Sequence, residues 1–237
     1  MNISQQIINE IKNSSSPEQA EKSARFFKLG KGEYGEHDVF LGLSLPSIRQ
    51  IVKKYKKTVK LKDIEELIKS PFHEVRSTAV LLAVELFAQS KSAEERQNIV
   101  EFYLCHLNYI NNWDLIDISV HKILGIYCCE QNDYQILYNL ANTDHLWSKR
   151  AAIVANWHII KQGNFEPIKK ITLTLCKDKA DLIHKALGWM LREMGKKDLQ
   201  ELLNFLNSYA SELPRTTLRY AIERLSPEQR KHYLMYK

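Results

Sequence analysis

The 237-residue chain has no run of about 18 apolar residues, which excludes a membrane-spanning helix. Its first residues, MNISQQIINEIKNSSS, lack the basic start and apolar centre of an export signal, so a cytoplasmic location is expected. The four cysteines, Cys105, Cys128, Cys129 and Cys176, show neither CxxC nor Cys/His spacing. They read as reduced core thiols, and no metal or cofactor is implied. His121, His145, His158 and His184 lack HExxH-type spacing, and no GxSxG elbow or Cys/His nucleophile pair is visible. The string GKGEYG, Gly30 to Gly35, matches GxGxxG literally. It follows the helical run SARFFKL instead of a strand, and no βαβ unit surrounds it, so a nucleotide-binding loop has no scaffold here. Lys28 and Lys31 make it a candidate for reaching phosphates instead.

Acid is missing from one stretch altogether. Arg49, Lys53, Lys54, Lys56, Lys57, Lys60 and Lys62 follow one another without an intervening carboxylate, within a chain of net charge +6. Such a block is either a solvated helix face or a surface that tracks a phosphate backbone. With 44% hydrophobic and 26% charged residues, the composition supports a sizeable core and not a disordered chain.

Strand signals are almost absent, and helical periodicity runs nearly from end to end. Fourteen spans read as helices, from 3–13 to 227–235, with starts marked by Ser16-Pro17, Ser70-Pro71, Asn111 or Asn112, Leu213-Pro214 and Ser226-Pro227. Gly163 and Gly195 fall where helices are expected to end. The one long irregular piece, Leu29 to Leu45, has room for a short hairpin. The second helices of successive pairs share a register. Arg76, Asp117, Arg150, Lys185 and Arg219 follow at steps of 41, 33, 35 and 34 residues, each trailed by small or apolar residues that permit close packing. That spacing predicts a solenoid of two-helix repeats, read as one domain over 1–237, with the second helices lining its concave face.

At that register four repeats offer a cation and the central one a carboxylate. Trp113 precedes Asp117 by four residues, Trp189 follows Lys185 by four and Arg192 follows Trp189 by three, so each set shares a helix face. In-order stacking would bring Asp117, Arg150 and Trp189 together. Each piece also has a plain structural reading. Tryptophans fill gaps between helices, Asp114 suits a first turn through the helix dipole, and Asp117 could bridge to Arg150. Asp117 is the hardest to explain this way, because it lies past the first turn of an apolar helix.

The runs NNWDLID, LWSKRAA and KALGWMLRE, in that order, resemble the HEAT-like repeat DNA glycosylases of the AlkD-like DNA alkylation repair family. The resemblance extends from PEQAEKSARFFK to about Arg219. It implies an all-α, right-handed superhelix whose basic concave face holds duplex DNA. It also implies excision of positively charged alkylated purines, such as 3-methyladenine and 7-methylguanine, in base excision repair by a monomer. Carried over, Asp117 matches the catalytic aspartate and Trp113 and Trp189 the tryptophans beside the lesion. Arg150 matches an arginine of the DNA-binding surface, to which the register adds Arg76, Lys185 and Arg219 and helical spacing from Trp189 adds Arg192, with Phe26 counted among the DNA-binding residues. In that family the lesion stays in or near the duplex, so no deep base pocket is expected. Two departures stand out: Phe26 (or Phe27) where relatives carry tyrosine, and the long 29–45 loop, whose KGEYGEHDVFLG resembles one sub-branch. A non-catalytic nucleic-acid-binding module and a protein-interaction solenoid fit the repeats as well, but the second leaves the Trp113, Asp117 and Trp189 cluster without a role.

Overall fold

The computed structural model describes residues 2–235. Among these the fold is all-α: fourteen helices and no strand, with one isolated parallel bridge between Val39 and Phe72. Two compact units divide the chain, one up to Ser119 and one from Val120 onward.

The first unit holds α1 (Ile3–Asn13), α2 (Pro17–Phe26), α3 (Leu45–Tyr55), α4 (Leu61–Ile68), α5 (His73–Gln89), α6 (Ala93–Cys105) and the start of α7 (Trp113–Gln131). Polar residues placed just before the first turns make these starts. Asn2, Ser16, Ser44 and Ser92 each accept a backbone N–H three residues on, with Pro17 inside the first turn of α2. Ser70-Pro71 stands before, not at, the start of α5, which opens at His73 with no side-chain cap. Helix α5 is the unit's centre and packs against α1, α3, α4 and α6. Val75, Ala79, Val80 and Leu82 are buried on it, each large aliphatic side chain contributing about 1.5–3 kcal/mol on leaving water. Helix α2 has no buried residue of its own.

The second unit contains the rest of α7, then α8 (Gln135–Ala141), α9 (Leu146–Lys161), α10 (Glu166–Leu175), α11 (Asp181–Lys197), α12 (Leu199–Tyr209), α13 (Arg215–Ala221) and α14 (Pro227–Leu234). Helix α11 packs on α9, α10, α12 and α13. Gly188 makes the α13 contact possible: a Cβ there would sit 2.4 Å from Tyr220 Cβ and 2.5 Å from Thr217 O. Gly195 does not end α11, which runs on to Lys197 with Gly195 against Leu202. Gly163, at φ +86°, does close the turn after α9.

The hairpin expected between Leu29 and Leu45 does not form. Instead, backbone groups of the loop are taken up by side chains distant in sequence. Leu41 N, Gly42 N and Leu43 N all donate to the Glu74 carboxylate, at 2.9, 2.8 and 3.3 Å, and His73 N donates to Val39 O at 2.9 Å. The cysteines are all free, but Cys105 is exposed and not a core thiol. Cys128 is buried, and burial pushes its thiol up to about 12. No helix among the described residues is long and apolar enough to cross a membrane.

Candidate functional site

The sequence NNWD starts α7 by a specific set of bonds. Asn112, fully buried, accepts the Trp113 N–H on Oδ1 at 2.8 Å, while its Nδ2 donates to Asp38 at 2.7 Å. That fixes the first turn, from which Trp113 and Asp114 project, with Asp117 one turn further on.

Trp113 is held on three sides. Its Nε1 donates to Tyr34 Oη at 3.2 Å, Phe27 stacks on it at 5.4 Å between ring centroids, and Phe26 meets it edge-on at 5.8 Å. Phe26 is 64% exposed, an unusual setting for a phenylalanine. Behind these rings the stack continues through Phe40, 4.9 Å from Phe27, to His73, 4.5 Å from Phe40.

His73 links the loop to α7. Its Nδ1 lies 3.2 Å from Asp38 and its Nε2 2.8 Å from Asp114. Burial acts to lower its pKa, but hydrogen bonds and charge from Asp114 and Asp38 outweigh that and push it up to about 9, so the ring is an imidazolium at neutral pH. Asp38 is buried too. Burial acts to raise its pKa, but the His73 hydrogen bond, the Arg76 charge and the Asn112 hydrogen bond hold it below the usual carboxylate range. Asp114 is thus a first-turn acid and also a partner of a buried cation.

These side chains border a half-open cleft of about 400 Å³. The aromatic rings of Phe27, Phe40 and Trp113, the carboxylates of Glu74, Asp114 and Asp117, and the apolar Leu43, Ile48 and Ile118 line it. Trp113 and Asp117 therefore line one cavity.

A second aromatic group lies wholly within the second unit. Trp189 on α11 is 5.9 Å from Trp157 on α9, whose other neighbour is His121 at 4.5 Å, and Lys161 Nζ stands 4.3 Å over the Trp157 ring. Trp157 carried no mark in the sequence beyond its residue type.

The sequence model of the DNA alkylation repair enzyme family matches residues 7–225. The chain belongs to that family. Among solved structures, one described as a predicted DNA alkylation repair enzyme from Enterococcus faecalis is similar with a TM-score of 0.70 and 20% identity. It is matched over 90% of this chain and 98% of its own length, a likeness that shows the shared fold. No curated protein matches the sequence significantly.

Within this alkylation repair family member the register cations differ sharply in setting. Arg76 was expected on the DNA-facing surface, but it is 4% exposed. It pairs with Asp38 and donates to Ser70 O and Pro71 O, both at 3.0 Å, so it ties down the loop and offers nothing to a phosphate. Arg150 is also buried, with Nη1 donating to Leu182 O at 2.9 Å. Arg192 pairs with Glu223 and keeps a buried Nε without a partner. Lys185 is exposed enough to meet solvent and sits 2.7 Å from Asp181, while Arg219 is exposed. The glycine loop presents no anion cradle. Gly30 N and Gly32 N are already taken by Glu33 and Glu36, at 2.9 and 2.7 Å. Among the described residues no group of three or more His, Cys, Asp and Glu is arranged to hold a metal ion.

Tyr34, Asp38, Phe40 and His73 were missed by reading the sequence. Three of them lie in the irregular segment, where no periodicity marks a face, and His73 occupies a helix start that looks like an ordinary boundary.

Proposed function

We propose that this protein is a monofunctional DNA glycosylase that releases positively charged N-alkylated purines, of the 3-methyladenine and 7-methylguanine type, from duplex DNA. The observation that carries this reading is the shared position of Trp113 and Asp117 on one cleft, beside the exposed ring of Phe26. Membership of the alkylation repair family supports it.

The chemistry needs little from the protein. An N-alkylated purine is already a cation, so the N-glycosidic bond can break with its electron pair passing to the base and no general acid protonating it. Positive charge then develops on the deoxyribose, and water adds at C1′. The Asp117 carboxylate opposes that charge or orients the water, and indole and phenyl rings attract the cationic base and sugar. Tyr34 and Phe27 preset the Trp113 ring, so it does not have to be ordered during reaction. From the second unit the resemblance adds Trp189 beside the lesion and Arg150 on the DNA-binding surface, and the repeat register and helical spacing add Lys185, Arg219 and Arg192 to that surface. We exclude Arg76 from that set.

The wild type is expected to release 7-methylguanine from methylated duplex DNA. Asp117→Asn should lower release by roughly 10²–10³-fold, the usual effect of removing one preorganised electrostatic group, with duplex affinity unchanged or higher. Retained DNA binding without any release by the wild type would replace this reading with that of a non-catalytic DNA-binding module.

A further inference from the structure

Base release as written above uses His73 neither as an acid nor as a base, yet three separate contacts run from its ring to the start of α7. Its Nε2 meets Asp114, the neighbour of Trp113, at 2.8 Å. Its Nδ1 meets Asp38 at 3.2 Å, and Asp38 also receives Nδ2 of Asn112, whose Oδ1 holds the Trp113 N–H. Its ring packs on Phe27 at 5.1 Å between centroids, and Phe27 in turn stacks on Trp113. We propose that His73 is a positioning residue for base release: clamped through both ring nitrogens between the loop and α7, it sets the Trp113 ring against the alkylated nucleotide. This rests on the glycosylase reading and asks for no contact between His73 and DNA, since the side chain is buried.

The clamp needs hydrogen on both nitrogens. An imidazolium donates to two carboxylates at once, whereas the neutral ring keeps one N–H and turns a lone pair toward the other carboxylate, which opens the joint at the loop or at α7. Burial works against the second proton, but hydrogen bonds and charge from Asp114 and Asp38 keep it on the ring up to about pH 9. The charged groups around the ring come from three elements. Asp38 faces it from the loop and Asp114 from α7, where Asp117 lies one turn further along and borders the same cleft. On its own helix, Glu74 is committed to three loop N–H groups, and Arg76 to Asp38, Ser70 O and Pro71 O. The rings packed on it, Phe27 and Phe40, are uncharged. The same loop supplies Tyr34, four residues before Asp38, to Trp113 Nε1, so one joint fixes both the helix start and the partner of the indole.

The test is single-turnover release of 7-methylguanine from one duplex between about pH 6.5 and 10, with helix content followed by circular dichroism at each pH. Wild-type rates are divided by those of His73→Asn at the same pH, so that titration of the lesion itself cancels. Asparagine keeps a donor near the Nδ1 position and loses the one that reaches Asp114. At pH 6.5 the wild type should be faster by roughly tenfold or more, with duplex affinity within about twofold. That ratio should shrink at least threefold, in order of magnitude about the protonated fraction lost, as pH rises to 10 with helix content intact. Asp114→Asn, at a side chain that solvent already reaches, removes one of the two charges holding the proton. Its release, normalised to its own rate at pH 6.5, should begin to fall roughly one pH unit below the wild type. Should His73→Asn not fold, this shift decides alone. A ratio that stays flat, a fall that follows loss of helix, or an alkaline fall that Asp114→Asn does not move overturns the positioning role and leaves the glycosylase reading standing. A wild type that releases nothing at any pH sinks the glycosylase reading and the role of His73 with it.

Discussion

His73 shows how much one side chain can hold together. Its ring is buried against Phe40 and its two nitrogens join a loop carboxylate to a helix carboxylate. A folded pKa of about 9 against an ordinary 6.5 means that the native state binds the proton more tightly than the unfolded chain. The resulting stability is fully present below about pH 6.5, declines as pH rises between 6.5 and 9, and is gone above. We expect urea unfolding to show a loss on the order of 2–3 kcal/mol between pH 6.5 and 9.5, and His73→Asn to flatten that slope. An unchanged slope in the variant would show that the proton is held elsewhere. Arg76 offers a parallel case. Truncating it to alanine leaves Asp38 buried with one partner fewer, and a destabilisation of about 3–5 kcal/mol is expected.

Among the elements, the irregular segment before α3 differs most from what its sequence announces. Gly42, at φ +86°, lies so close to α2 that a Cβ would stand 2.0 Å from Ser16 O and 2.5 Å from Ala20 N. Gly42→Ala should therefore destabilise the protein by about 3 kcal/mol or more, through both the backbone conformation and the clash. Thermal unfolding beside a Gly32→Ala control, where a Cβ meets nothing within 4 Å, separates the two effects. The helices were legible because each carries its own signal in caps and 3.6-residue periodicity. The span 3–13 coincides with α1 residue for residue, and 227–235 runs one residue past α14. The segment was not legible, because Glu74, His73 and Arg76 settle it from 31 to 38 residues away along the chain. The same gap explains Arg76. Register placed it among cations, and only the folded loop brings Asp38 to it.

Across the whole molecule, charge divides into pairs and reserves. Of the acid-free run, Lys54 and Lys56 are paired with Glu10 and Glu85, at 2.7 and 2.9 Å, while Arg49, Lys53, Lys57, Lys60 and Lys62 are exposed. Only cations that meet phosphate release counterions. Arg219→Ala is expected to reduce the log-log salt slope of duplex binding by about 0.9, whereas a folded Arg76 variant should leave that slope unchanged. Equal effects of the two would return Arg76 to the DNA surface. The anchoring of the loop has one more consequence. Lys31 is exposed in a turn whose bonds, Gly30 with Glu33 and Gly32 with Glu36, are local. The stretch beyond it is fastened by Asp38 and Glu74, and the helix before α2 is fastened by the fully buried Ile7 and Ile11. A single tryptic nick at Lys31 should thus yield two peptides that migrate as one species until denatured, a split protein that two separately expressed fragments could reassemble.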